Sequence, residues 1–180
     1  MWGSGKLYFE TFALVYWIDL FVRNEYKDFM LDSWRHCIAN KGMELYGWCI
    51  MTSHGHLIIG SHGEKLEDIM RDMKRHTSEK LRAAIQRHPG ESRKEWLLEL
   101  MGRAGTANSN NSGFQLWQQD NHPIELTTPE RKHQRLDYIH RNPVLAGIVE
   151  KSEEYTFSSA KDYYGGKGLI ELLLIDPILK

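Results

Sequence analysis

The sequence predicts an α+β fold in which an antiparallel sheet carries helices on one face. Segments rich in aromatic and β-branched residues alternate with segments in which apolar residues recur every three or four positions. Apart from a short helix at residues 91–101, their order is strand, helix, strand, strand, helix, strand, helix, which is the order of a split β-α-β unit. With 41% hydrophobic residues in 180, the chain can bury a real core. We expect one domain, with its main part in residues 1–150 and a C-terminal extension in residues 151–180.

The first half of the chain predicts three strands and a helix. Residues 7–19 are aromatic and β-branched, as in a half-buried strand. Residues 24–40 have helical periodicity, and Gly42 follows the end of that helix. Residues 44–51 and 54–60 read as a hairpin around a turn near Thr52 and Ser53.

The second half predicts three helices and one strand. Residues 66–87 are amphipathic and precede Pro89-Gly90, and residues 91–101 form a shorter amphipathic helix. Residues 103–113 are small and polar, which predicts a loop, and residues 114–118 alternate as in a strand. A last helix begins near Pro129, with Thr127 or Thr128 as its N-cap.

Two histidines one residue apart, His54 and His56, begin the returning strand of the hairpin. Successive side chains of a strand point to opposite faces, so these two imidazoles share a face and can bind one metal ion. Taken alone, the pair can equally be two solvated histidines on a surface strand.

A second signal comes from the last predicted helix, where Tyr138 and Asn142 stand four residues apart. On a helix they face the same way, so a phenol lies beside a carboxamide oxygen. They are candidates for a nucleophile and a third metal ligand. The alternatives are that Tyr138 is a core or interface tyrosine, and that Asn142 ends the helix because Pro143 follows it.

The formal net charge of −1 gives no global attraction to nucleic acid, so local patches must carry any such binding. Trp117 and the neighbouring polar residues Gln118, Gln119 and Asn121 are candidates for stacking on, or hydrogen bonding to, unpaired bases. The basic residues expected to contact DNA are Lys74, Arg75 and Lys80 on the second long helix and Arg131, Arg135 and Arg141 around the tyrosine.

Two cysteines, Cys37 and Cys49, have apolar neighbours and predict buried free thiols in a reducing cytoplasm. The chain shows neither a secretory signal nor an apolar run of membrane-spanning length. We therefore expect a cytoplasmic protein with no membrane partner.

Three motifs together resemble a known family: His54-Gly55-His56, the run from Phe114 to Leu126, and the run from Asp137 to Val144. The chain is similar, over nearly its whole length, to the single-tyrosine HUH transposases, and among them to the REP-associated tyrosine transposases. The resemblance implies a ferredoxin-like catalytic domain with His54, His56 and Asn142 as metal ligands and Tyr138 as the nucleophile. One departure is Gly55, which stands where the family usually has a bulky hydrophobic residue.

The function implied by the resemblance is nicking and rejoining of single-stranded hairpin DNA through a 5′-phosphotyrosine intermediate. Mg²⁺ or Mn²⁺ suits this phosphate chemistry, and zinc is disfavoured because no cysteine or third histidine completes a tetrahedral site. Relatives work either as monomers or as homodimers that exchange the tyrosine helix. Two alternatives stay open: a non-catalytic hairpin-binding protein of the same fold, and a phosphodiesterase in which water attacks.

Overall fold

The computed structural model describes residues 5–108, 113–119 and 122–176. Three short 3₁₀ turns, at Val15–Trp17, Leu20–Val22 and Ser152–Glu154, accompany the main elements. In chain order the strands and helices are β1 (Tyr8–Ala13), α1 (Asn24–Lys41), β2 (Met43–Ile50), β3 (His54–Ser61), α2 (Leu66–Arg87), α3 (Lys94–Thr106), β4 (Ile124–Glu125), α4 (Pro129–Leu145) and α5 (Ala160–Tyr163).

The four strands form one antiparallel sheet in the order β2-β3-β1-β4. This is the strand order of a ferredoxin-like fold, so the predicted α+β class is confirmed. The hairpin lies where the sequence predicts it, and the Met51 N–H donates to the His54 carbonyl at 2.8 Å beside its turn. In the register of β1 with β3, Thr11 lies opposite His56.

One face of the sheet packs against α1 and α2. Phe12 of β1 makes an edge contact with Trp34 of α1, with ring centroids 6.1 Å apart, and Trp34 also contacts Trp48 of β2. The Trp34 indole N–H donates to the Met73 sulfur at 3.1 Å, which joins α1 to α2. These buried aromatic and thioether side chains belong to one core cluster, in which aliphatic side chains are the most numerous.

Helix α4 lies on the opposite face of the sheet. A methyl group added at Gly47 of β2 would come within 2.8 Å of Leu136 of α4, so the two elements approach closely. Leu136 and Ile139 are buried. Helices therefore cover both faces: α1 and α2 share one, as the prediction placed them, and α4 takes the other because its apolar residues face the sheet.

Helices α1, α2 and α4 agree with the periodicity of the sequence. Thr128 caps α4, since its hydroxyl accepts from the Arg131 N–H at 3.3 Å. The predicted first strand is too long, because β1 ends at Ala13 and the chain then turns. Helix α3 begins at Lys94 and runs on to Thr106, into the predicted loop. Residues 109–112 of that loop lie outside the described residues.

The predicted strand at 114–118 runs beyond the end of β1 without becoming a full strand. Trp117 forms an isolated bridge with Leu14, and the Gln118 N–H donates to the Ala13 carbonyl at 2.8 Å. The fourth strand of the sheet is instead the two-residue β4, which pairs with Tyr8 and Phe9.

Residues 155–159 run along the outer edge of β2. The Ile50 N–H donates to the Phe157 carbonyl at 2.9 Å, and the Tyr155 hydroxyl donates to the Ile50 carbonyl at 2.8 Å. In the part of the chain that the structure describes, no helix has the length and apolar character needed to cross a bilayer.

Candidate functional site

The two histidines of β3 lie side by side on the face of the sheet that α4 covers. Their ring centroids are 4.9 Å apart, as the two-residue period of a strand predicts. His54 lies at the turn end of the strand, where its Nδ1 is 3.2 Å from the Ser53 hydroxyl. His56 lies deeper and is only 2% exposed.

His56 is held in an orientation that leaves one ring nitrogen open. Its Nδ1 is 2.8 Å from the Thr11 hydroxyl, and its ring stacks on Phe9 at 5.6 Å. Its Nε2 is buried and has no hydrogen-bond partner among the described residues. Burial, with the nearby His54 and Arg135, lowers the pKa of His56 to about 3, so the ring is neutral at pH 7. In the neutral tautomer whose Nδ1–H donates a hydrogen bond to the Thr11 hydroxyl, the imidazole presents its Nε2 lone pair as a metal ligand.

Tyr138 of α4 lies directly against His56. The two ring centroids are 5.3 Å apart, and the Tyr138 ring also meets the edge of Phe9 at 5.9 Å. The Arg135 guanidinium lies 4.9 Å above the Phe9 ring and 6.0 Å from that of Tyr138. Tyr138 is 42% exposed, so it is not a core tyrosine and its phenol is accessible from solvent.

Asn142 follows Tyr138 by one helical turn. It is half-buried, and its Nδ2 is buried without a hydrogen-bond partner among the described residues. Helix α4 continues through Pro143 to Leu145, so the alternative that Asn142 ends the helix is wrong. His140, on the same turn, is 6% exposed and its Nε2 lies 2.9 Å from the Ser159 hydroxyl, so it belongs to the packing around Ser159.

The donor set fits a divalent cation. His56 Nε2 and Asn142 Nδ2 are buried atoms without a hydrogen-bond partner among the described residues, and His54 lies beside His56 on the strand. The atoms that could bind the cation are the imidazole nitrogens and the carboxamide oxygen of Asn142. No group of three or more His, Cys, Asp or Glu residues suited to a metal occurs within the described ranges. The candidate ligands are therefore two imidazoles and one carboxamide, a set that favours Mn²⁺ or Mg²⁺.

Gly55 points to the other face of the sheet, where the Phe12 ring occupies its place. A methyl group added at Gly55 would overlap the far end of that ring. Phe12 thus fills the volume that a bulky residue between the histidines would take, and it is itself fully buried between Trp34 and Trp117. The departure at Gly55 is compensated by its neighbour on β1.

The basic residues predicted to contact DNA fall on opposite sides of the sheet. Those of α4 lie on the helix that carries Tyr138, and Arg141 is 3.7 Å from Asp137. Those of α2 lie on the far side, packed with α1. Among them Lys74 is half-buried, and burial lowers its pKa. The α4 group comprises Arg131, Arg135 and Arg141, and the α2 group comprises Lys74, Arg75 and Lys80.

Trp117 does not lie where the sequence analysis expected it. It is 6% exposed, its indole N–H donates to the Thr77 hydroxyl at 3.0 Å, and its ring packs on Phe12 and Phe21. The prediction that Trp117 stacks on bases is therefore wrong, because its ring is buried in the core. Asn121, one of the three polar residues also predicted to contact bases, lies outside the described residues.

A pair of aromatic residues lies just after β1, within the segment that the sequence predicts as a strand. Tyr16 and Trp17 have positive φ angles of 55° and 53°, in the left-handed region. That region costs a residue other than glycine about 1–2 kcal/mol. Both side chains are exposed, by 57% and 55%, and the Trp17 ring lies 5.4 Å from that of His54. Side chains of this type after a strand give no sequence signal of a turn.

Residues 15–98 match the family model described as IS200-like transposase. The matched segment contains both histidines and ends before Tyr138. No curated protein matches the chain.

Solved structures that resemble the chain include the two that follow. A REP-associated tyrosine transposase bound to a REP hairpin superposes with a TM-score of 0.65 and 14% identity, over 100% of this chain and 96% of its own. A transposase candidate from Deinococcus radiodurans superposes with a TM-score of 0.46 and 19% identity, over 76% of this chain and 93% of its own. The first shows that the fold is shared over the full length. The chain is thus similar to the IS200-like transposases over residues 15–98 and has the fold of a REP-associated tyrosine transposase.

Proposed function

We propose that this protein nicks and rejoins single-stranded DNA that carries a hairpin, with Tyr138 as the nucleophile. The observation that carries the proposal is the packing of the solvent-exposed Tyr138 ring against His56. The Nε2 of His56 is buried and has no hydrogen-bond partner among the described residues, so its lone pair is available to a metal ion. The catalytic unit comprises residues 1–150, with residues 151–180 as its C-terminal extension.

In the proposed reaction the Tyr138 oxygen attacks a phosphorus atom of the DNA backbone. A bond forms between that oxygen and the phosphorus, and the bond to the 3′ oxygen of the preceding nucleotide breaks. The phenolic proton passes to solvent, and the departing oxygen takes a proton to become a 3′ hydroxyl. The 5′ phosphate stays on Tyr138, so the energy of the broken bond is retained for rejoining.

His54, His56 and Asn142 are the residues that would hold a divalent cation beside Tyr138. Mg²⁺ or Mn²⁺ bound there supplies a positive charge that polarises a phosphate oxygen. The neutral state of His56 matters, because a protonated imidazole could not donate its lone pair. Arg135, which lies over Phe9 near the Tyr138 ring, adds a fixed positive charge beside the phosphate that is attacked.

Hairpin DNA is proposed as the partner on two grounds. The structural relative with the same fold is described as bound to a REP hairpin. In this chain, the arginines of α4 lie on the helix that carries the nucleophile, where they can contact backbone phosphates.

The test is a covalent adduct. A hairpin oligonucleotide labelled at its 3′ end, incubated with the protein and Mg²⁺ or Mn²⁺, should yield a labelled species that migrates with the protein under denaturing conditions. Tyr138→Phe should abolish this species, whereas Tyr164→Phe, which alters a tyrosine that is 66% exposed beyond α5, should retain it.

Other outcomes would contradict the proposal in different ways. An adduct that persists in Tyr138→Phe would remove Tyr138 as the nucleophile. A free 5′ phosphate without an adduct would assign the attack to water. Hairpin binding without either product, and without an effect of His54→Ala, would make the protein a binding module.

A further inference from the structure

We propose that Tyr16 and Trp17 form a stacking platform for an unpaired DNA base, that of the nucleotide whose 3′ oxygen departs when Tyr138 attacks. This inference rests on the proposed function and adds to it a contact that orients the substrate. The platform is the aromatic pair between β1 and α1, at the end of the histidine pair away from Tyr138.

The platform is rigid although its rings are exposed. The Leu14 N–H donates to the Ser53 carbonyl at 2.9 Å, and the Val15 N–H donates to the Leu116 carbonyl at 2.9 Å. Leu14, Val15 and Ile18 are buried on either side of the pair. The backbone is thus fixed from both ends, and a ligand that stacks on the rings need not order a mobile loop.

The conformation of the pair has no evident benefit for folding. Two successive residues in the left-handed region are strained, and the strain brings two large aromatic rings into water rather than into the core. Other aromatic side chains, such as Trp96 and Tyr164, are also exposed. Within the described ranges, however, Tyr16 and Trp17 are the only residues other than glycine with a positive φ. Strain that exposes apolar rings beside a reactive site is typical of a ligand contact.

The position of the pair identifies the base. Four rings follow one another on this face: Tyr138, His56, His54 and Trp17, with successive centroids 5.3, 4.9 and 5.4 Å apart. The nucleophile lies at one end of this row and the platform at the other. In an in-line displacement the departing oxygen leaves on the side opposite the nucleophile. The nucleotide that carries this oxygen therefore lies toward Trp17.

A single-stranded DNA base suits the platform because every base has a flat face that stacks on an aromatic ring. Such a contact tolerates different base sequences. At the end of this row of rings it would position the DNA strand across the site, without distinguishing one base from another. The arginines of α4 lie on the Tyr138 side, where they can contact the phosphates beyond the point of attack.

The experiment combines a protein variant with a DNA variant. The cleavage position is first mapped from the adduct formed by the wild-type protein. Binding is then measured by fluorescence anisotropy with the intact oligonucleotide and with one that lacks the base immediately 5′ of the cleavage position. Trp17→Ala should weaken binding of the intact DNA about 5-fold to 150-fold, as expected for one lost stacking contact.

Removing the base should weaken binding by the wild-type protein to a similar extent and should have little further effect on Trp17→Ala. Trp17→Phe should restore part of the affinity. Trp96→Ala is the matched control, because Trp96 is 50% exposed on α3 and lies outside the proposed platform. Neither alanine variant should change the melting temperature by more than a few degrees, since both rings are about half in solvent.

Failure of this inference differs from failure of the proposed function. If wild type forms the adduct and Trp17→Ala binds as tightly as wild type, the platform is wrong and the function stands. If Trp17→Ala and removal of the base weaken binding independently, so that their effects on the binding free energy add in full, the base stacks elsewhere and the assignment is wrong. If wild type forms no adduct and binds no single-stranded DNA, both fall. Tighter binding of the matching RNA strand would overturn the assignment to DNA.

Discussion

At the scale of single residues, the candidate site depends on how the ring of His56 is held. The Thr11 hydroxyl at 2.8 Å and the stacked Phe9 ring fix its orientation, and burial keeps it neutral. Partners of this kind set which nitrogen of a histidine faces a metal ion. The residues that touch His56 are therefore expected to affect metal binding as much as His56 itself.

We expect Thr11→Val to weaken Mn²⁺ binding about 10-fold to 100-fold, because the isosteric side chain keeps the packing and removes the hydrogen bond that orients His56. Thr11→Ser keeps the hydroxyl and should stay close to wild type. Titration calorimetry with Mn²⁺ measures both. Equal Mn²⁺ affinities for wild type and Thr11→Val would show that this hydrogen bond does not orient His56 for metal binding.

The sequence predicts some of these residues and not others, for physical reasons. The period of two in a strand is enough to place His54 and His56 on one face, and the period of a helix is enough to pair Tyr138 with Asn142. The burial of Trp117 could not be predicted, because its partners are distant in the chain: its indole N–H donates to Thr77, 40 residues away. The turn at Trp17 has no local signal, since neither glycine nor proline marks it.

At the scale of elements, one buried carboxylate links the start of α1 to the start of α3. Glu91 is 5% exposed, and its oxygens lie 2.9 Å from Arg23, 3.0 Å from Arg93 and 3.3 Å from the Tyr26 hydroxyl. Burial acts to raise the pKa of Glu91, but the hydrogen bonds from Arg93 and Arg23 outweigh it and lower the pKa to about 2.

We expect Glu91→Gln to lower the free energy of unfolding by about 2–3 kcal/mol at pH 7, because both arginines lose their charged partner. The stabilisation in wild type is complete above the ordinary glutamate pKa of 4.5 and is lost as the pH falls toward 2. The difference between wild type and variant should therefore narrow below pH 4.5.

Urea unfolding of both proteins from pH 7 to pH 3 measures this difference. Glu99→Gln, at an exposed position of α3, is the control and should remain within about 0.5 kcal/mol of wild type at pH 7. A difference between Glu91→Gln and wild type that stays constant down to pH 3 would contradict the pKa argument.

Element boundaries were predictable where local chemistry determines them. Thr128 and Pro129 mark the start of α4, and the apolar period of α2 gives both of its ends. The face on which α4 packs was not predictable, because it depends on a close approach to Gly47 from a distant part of the chain. The end of β1 at Ala13 was also hidden, since the residues after it have strand propensity and are held by Ser53 and Leu116.

At the scale of the whole molecule, Tyr138 and the two histidines meet within a single chain. In the proposed reaction, each copy therefore carries its own ligands and its own nucleophile. An arrangement in which two copies exchange the tyrosine helix would instead divide these groups between chains.

We expect a mixture of Tyr138→Phe and His56→Ala proteins to form no covalent adduct with hairpin DNA. Each variant lacks one half of the site, and the halves should not be supplied by different chains. Adduct yield relative to the wild-type protein at the same total concentration is the measurement. Recovery of about a quarter or more of the wild-type yield would show that the tyrosine helix is shared.

The shallow position of Tyr138 also has a topological consequence. Tyr138 is 42% exposed on helix α4, which lies on one face of the sheet. In the proposed reaction, a strand can be laid across this face sideways, at any internal phosphate, without being threaded from a free end. Closed circles and long replicating strands would therefore serve as well as short linear fragments.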